Sequence, residues 1–151
     1  MQLYSCTLPA MFDRCLYFNT NHLARTIGKI WQDAFSDLGL APAHAYLLRL
    51  VIEQPGMVQK DIAAELHLEK STITRFVDKM VEQDYLIRKM ADSGNNREQQ
   101  IHPTSKAIKL GIKLQKIGDS LYQNMTESIG EKELKKLVKT IRDTADKLTQ
   151  S

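Results

Sequence analysis

Two cysteines, four prolines and one tryptophan are all that 151 residues hold of those types. Cys6 and Cys15 are too few for a disulfide framework and lack the paired spacing of a zinc site. The four histidines form no H-E-x-x-H pattern and stand beside no Cys-x-x-Cys, so neither a metal nor another cofactor is expected. No apolar run approaches the roughly 20 residues that a membrane span requires. The opening MQLYSCTLPA has neither the basic nor the apolar stretch of a secretory signal, so a cytoplasmic location is expected. Nucleophile–base pairs and phosphate-cradling glycine loops are also missing, which speaks against an enzyme.

What is present is ordinary in amount. About 42% hydrophobic and 26% charged residues suit a chain with a buried core. The net charge of +3 is small, and it is unevenly placed. Residues 57–102 carry seven Lys or Arg against eight Asp or Glu, while residues 103–151 carry ten against six. A nucleic-acid partner therefore has to be argued from where the basic groups point, not from their sum.

Periodicity divides the chain into six helices and a hairpin. Leu16, Leu23, Ile27, Ile30, Ala34 and Leu38 predict one long helix over 13–38, closed by Gly39. Pro42 suits the first turn of a second helix, about 42–53. Gln54-Pro55-Gly56 reads as a turn, and Ile62, Ala63 and Leu66 mark a short helix at about 58–66. His67-Leu68 forms a tight connection to a helix at about 69–83. Tyr85–Met90 and Glu98–His102 read as strands, joined by a loop of turn residues. Thr104 is placed to cap a helix whose apolar positions are Ala107, Leu110, Leu114, Ile117, Leu121 and Met125. Gly130 breaks it, and a last amphipathic helix occupies about 131–149.

This order predicts a mainly α fold with a winged helix-turn-helix core, between long N- and C-terminal helices that form a dimerisation domain. The expected divisions are 1–56, 57–103 and 104–151. The apolar stripes of the outer helices have little of so small a chain to cover them, so a homodimer is expected.

The stretch KSTITRFVDKM, residues 70–80, spends weak helix formers at the start of a helix. On a 100° wheel Ile73, Phe76, Val77, Met80 and Val81 share the apolar face. Ser71, Arg75 and Glu82 lie opposite, flanked by Thr72, Thr74, Asp78 and Lys79, with Lys70 at the first turn and the acids in the later turns. Short hydroxyls allow close approach to a groove, and an arginine can reach guanine O6 and N7 together. The alternative is that Ser and Thr merely cap and start the helix. Beyond it, Asn95, Asn96 and Arg97 sit at the wing loop, where a basic side chain can enter a minor groove.

The succession MVQKDIAAELHLEKSTITRFVDKMVEQDYLIRKMADSGNNREQQIHPTSKA resembles the winged-helix core of the multiple antibiotic resistance regulator (MarR) family. The resemblance implies a dimeric regulator of transcription, mostly a repressor, that binds a pseudo-palindrome in double-stranded DNA. Carried over by position, it puts Gln59 and Lys60 at the start of the supporting helix, and Ser71, Thr72, Thr74 and Arg75 on the recognition helix. Arg97 matches the wing arginine. Departures include Asn95 for a common Asp, Pro103 for Leu, Ala107 for Gly and Asp84-Tyr85 for Arg-Gly; they bear on the shape of the wing.

Members commonly respond to small aromatic or phenolic ligands or to cysteine oxidation. Tyr17, His22, Trp31, His44 and Arg49 are the candidates for an effector site, and Cys15 is the redox candidate. Aligning the loop before the second helix, however, puts Tyr17 rather than Cys15 over the reactive cysteine of the peroxide-sensing branch. A thiol-based sensor and a winged-helix protein–protein module are the alternative functions.

Overall fold

The stretch expected as one helix over 13–38 is resolved by local chemistry into a helix and a 3₁₀ turn, with a separate short helix before it. Helix α1, Pro9–Phe12, is short; α2 runs from Leu16 to Phe35; a 3₁₀ turn, Ser36–Leu38, ends at Gly39. Gly39 has φ 64, a left-handed value that costs glycine least. The side chain of Asn19 ties the break between α1 and α2, donating to the carbonyls of Phe12 at 2.8 Å and Cys15 at 2.9 Å. Phe12 and Phe18 stack across it with ring centroids 4.6 Å apart. The computed structural model describes residues 9–91 and 98–150. Backbone contacts divide the chain into two units, 1–42 and 43–151.

The second unit holds α3 (Pro42–Glu53, whose first residue belongs to the first unit), β1 (Met57–Val58), α4 (Gln59–Glu65), α5 (Lys70–Glu82), β2 (Leu86–Met90), β3 (Gln99–Pro103), α6 (Ser105–Ile129) and α7 (Glu131–Thr149). Among the described residues the strands form one antiparallel sheet in the order β1-β3-β2. Arg88 faces Ile101 across one ladder, and Met57 faces Ile101 across the other. The two-residue strand β1 was not expected, because two residues are too few to display an alternating pattern.

The buried apolar side chains of this unit come from α3 to α6 and the sheet: Leu47, Leu48 and Val51 of α3, Ile62 of α4, Ile73, Val77 and Met80 of α5, Leu86 and Ile101 of the sheet, and Ala107, Leu114 and Leu121 of α6. The helix-turn-helix bends at His67, whose φ of 53 lies in the left-handed region. Asp84, with φ 60, makes the turn from α5 into β2. Asp and His tolerate that conformation better than branched residues do. Thr104 caps α6 as expected, accepting from the Ala107 N–H at 3.2 Å, and its hydroxyl donates to the Asp84 carbonyl at 2.6 Å. One side chain thus starts α6 and fixes the root of the wing.

In contrast, α7 buries nothing fully. Leu137, Val138 and Ile141 line one face of it and are 38%, 47% and 49% exposed. Leu16, Tyr17, Phe18, Leu23 and Ile30 are likewise exposed along α2. No helix among the described residues is long and apolar enough to cross a membrane.

Candidate nucleic-acid interface

The wheel drawn from the sequence holds for α5. Ile73, Val77 and Met80 are buried, Phe76 and Val81 half-buried, and Lys70, Ser71, Arg75, Asp78, Lys79 and Glu82 exposed. Ser71 and Arg75 are one turn apart and therefore project from the same face. The residue capping α5 is Glu69, and its side chain makes no cap bond. Ser71 and Thr72 lie inside the first turn, so they start the helix as the alternative held but do not cap it. The first intrahelical acceptor bond of α5 runs from the Ile73 N–H to the Glu69 carbonyl at 3.1 Å. The N–H groups ahead of it, at Lys70, Ser71 and Thr72, point out of the helix end, where an anion is favoured.

The start of α4 comes to the same end of α5. Val58, Gln59, Lys60, Lys70, Glu98 and Gln99 line a groove of about 310 Å³ there. Gln59 is half-buried and Lys60 exposed. Thr74 Oγ1 lies 2.8 Å from Gln59 Oε1 and 3.0 Å from the carbonyl of Lys70. Lys79 is not part of this cluster: nine residues on from Lys70, it lies roughly 13 Å further along the axis. The acidic Asp78 on the flank of α5 is neutralised by an ion pair with Arg88 of β2, which also anchors the wing to the helix. Neither pairing was legible in the sequence, since partners 10 and 15 residues apart carry no periodic signal. Asn95, Asn96 and Arg97 lie outside the described residues.

The effector candidates separate. Tyr17, His22 and Trp31 are on α2 in the first unit; Tyr17 and His22 are exposed and Trp31 half-buried. His44 and Arg49 are on α3 but serve different faces. His44 is buried, edge-on to Phe76 with centroids 4.7 Å apart. Burial, and then the nearby charge of Lys79, hold its pKa below the usual histidine value. Arg49 instead lines a cleft of about 640 Å³ between α3 and α6, with Ile52, Glu53, Ile108, Gly111, Ile112, Gln115 and Lys116. Its guanidinium donates to Gln115 Oε1 at 3.1 Å. The absence of a side chain at Gly118 makes room for it, because a Cβ there would meet Arg49 Nη1 at 2.7 Å. The apolar members of this cleft were not anticipated: Ile108 and Ile112 fall off the inward stripe of α6 and read as surface positions.

Cys15 caps α2 without a side-chain bond and is half-buried. Lys106 donates to the Gln83 carbonyl at 2.7 Å and sits 4.3 Å over the ring of Tyr85. Tyr85 thus adds a cation–π contact to the wing root. Among the described residues no group of three His, Cys, Asp or Glu could hold a metal ion.

Residues 38–97 match the family model described as MarR family. An uncharacterised HTH-type transcriptional regulator of Bacillus subtilis (strain 168), YybA, is 28% identical over 97 residues, and the match takes in 64% of this chain and 64% of that protein. Among solved structures, the transcriptional repressor CouR bound to a 23-mer DNA duplex has a TM-score of 0.83 at 17% identity, over 91% of this chain and 96% of that one. CouR from Rhodococcus jostii RHA1 bound to p-coumaroyl-CoA has a TM-score of 0.70 at 22% identity, over 91% and 93%. At such identities the likeness establishes a shared winged-helix fold.

Proposed function

We propose, on the premise that residues 38–97 form a MarR-family winged helix, that this chain is a dimeric, sequence-specific DNA-binding regulator of transcription. In this reading it is a repressor released from its operator by a small anionic aromatic ligand. The observation that carries the DNA reading is the exposed Ser71–Arg75 face beside free N–H groups and the lysines of the α4–α5 groove. Arg75 reads a base edge, while Lys60, Lys70 and the helix end take phosphates. The uncovered apolar faces of α2 and α7 support pairing with a second copy, which sets two such faces about one duplex turn apart.

Selection of duplexes from a random pool, followed by a salt titration, tests this reading. Enrichment of a two-fold symmetric site, with affinity falling steeply as salt rises, is the expected result. A chain that enriches no duplex, or whose binding ignores salt, is the protein–protein module instead.

The α3–α6 cleft suits the effector. Ile52, Ile108 and Ile112 supply an apolar floor, and Arg49 and Lys116 supply charge for a carboxylate. Gly118→Ala is expected to displace the Arg49 guanidinium and weaken release of DNA by 4-hydroxycinnamate or 4-hydroxybenzoate. The fold should tolerate it, because alanine gains about 1 kcal/mol of helix propensity over glycine. The variant's Tm is then unchanged or a few degrees higher, read by circular dichroism, while the concentration of acid needed for half-release rises several-fold. An unaltered release curve removes Arg49 from the site.

Cys15→Ser addresses the redox alternative. DNA binding is expected to survive unchanged, because the thiol makes no cap bond and lies on a different helix from the reading residues. Release by hydrogen peroxide, assayed by gel shift, should be the same in the wild type and the variant. Its loss in the variant alone would make Cys15 the sensor.

A further inference from the structure

Thr74 was expected to face DNA, yet its hydroxyl is already engaged within the protein. It lies between the side chain of Gln59, first residue of α4, and the carbonyl of Lys70 one turn back on its own helix. A hydroxyl has one proton and two lone pairs, so it cannot donate to both oxygens at once. Both contacts are met together when Thr74 donates to the Lys70 carbonyl and accepts from the amide nitrogen of Gln59. The oxygen and nitrogen of an amide are assigned by such networks. Gln59 and Thr74 are both half-buried, so the contact is partly shielded from competing water.

From this geometry we infer that Thr74 is a positioning residue: it locks the amide of Gln59 at the mouth of the α4–α5 groove and makes no base contact itself. The amide's remaining oxygen and N–H then face the groove that Lys60, Lys70 and Gln99 line. The same bond holds the first turn of α4 at a set distance from the second turn of α5. The helix that carries Arg75 and the side chain that would meet the strand beside it are thereby one rigid unit. Ser71 and Arg75, which make no such bond among the described residues, are left to read sequence. This inference rests on the DNA-binding reading and narrows it, by removing one residue from the reading set.

Four variants on the full-length chain test it, with the duplex that the wild type selects from a random pool: Thr74→Val, Thr74→Ser, Gln59→Ala, and Thr74→Val with Gln59→Ala. Thr74→Val keeps the branched shape and loses the bond; Thr74→Ser keeps the hydroxyl. Each of Thr74→Val and Gln59→Ala is expected to weaken binding about three- to tenfold, the range for one hydrogen bond. The double variant should be no weaker than either, because the residues act as a pair. Thr74→Ser should restore at least half of the lost affinity. Single-base changes across the duplex should rank in the same order for Thr74→Val as for the wild type, and thermal unfolding should verify that the variants are folded at the assay temperature.

A changed base preference at one position in Thr74→Val, with additive losses in the double variant, would make Thr74 a reader and overturn the inference. Wild-type affinity in Thr74→Val overturns it too. Should the wild type select no duplex at all, the regulator reading fails first and carries this inference with it. That result differs from selection by the wild type with an indifferent Thr74→Val.

Discussion

An Arg75→Ala variant is expected to bind the selected duplex about 10- to 100-fold more weakly than the wild type, a loss of about 1–3 kcal/mol. The guanidinium stands exposed on the second turn of α5, one turn beyond Ser71, with no ion-pair partner among the described residues. Nothing in the fold depends on it, so truncation should leave Tm within a degree or so of the wild type. The loss should also be selective. A side chain that reaches two acceptors on one guanine discriminates at one base pair per half-site, so the variant should accept substitutions at that pair and reject them elsewhere as before. Lys60→Ala should behave differently, weakening all duplexes by a similar factor and lowering the dependence on salt. Competition binding with a panel of single-base variants separates the two patterns. Equal affinity and an equal panel in Arg75→Ala would refute the reading face as drawn.

The second large effect belongs to α7. Leu137→Glu with Ile141→Glu puts two carboxylates into the face that Leu137, Val138 and Ile141 leave uncovered. If that face meets its equivalent in a second copy, the double variant should sediment as a monomer at micromolar concentration, where the wild type is expected to sediment as a dimer. Two half-sites held by one dimer gain an effective concentration worth about 10²–10⁴ in affinity, and the monomer should lose it. Binding to a single half-site, where measurable, should be unaffected. Lys132→Glu, a charge reversal at an exposed position of the same helix, is the control and should leave the dimer intact. A double variant that still sediments as a dimer would exclude α7 from the interface.

The ion pair between Asp78 and Arg88 bears on both results. An unpaired carboxylate on the flank of a helix facing phosphates would oppose binding. The partner supplied by β2 removes that repulsion and ties the wing's first strand to α5. The pair takes one acid and one base of residues 57–102 together, so the balance of that stretch is unchanged and only the placement of its charge differs.

Much of the architecture could be read in advance because it depends on neighbours within a turn. Pro42 opens α3, Thr104 caps α6 and Gly130 separates α6 from α7, each by its own backbone or hydroxyl chemistry. The inward positions of α6 followed from a spacing of three and four residues, and the exposed face of α5 from the same rule. Long-range pairing had no such signal. That Thr74 meets Gln59, that Asp78 meets Arg88, and that Arg49 reaches Gln115 beneath Gly118 depends on helices and strands packed from distant parts of the chain. Residue type and spacing assign a side chain to a face; the packing of that face against another element selects its partner, and with it the difference between a group left exposed and one engaged within the protein.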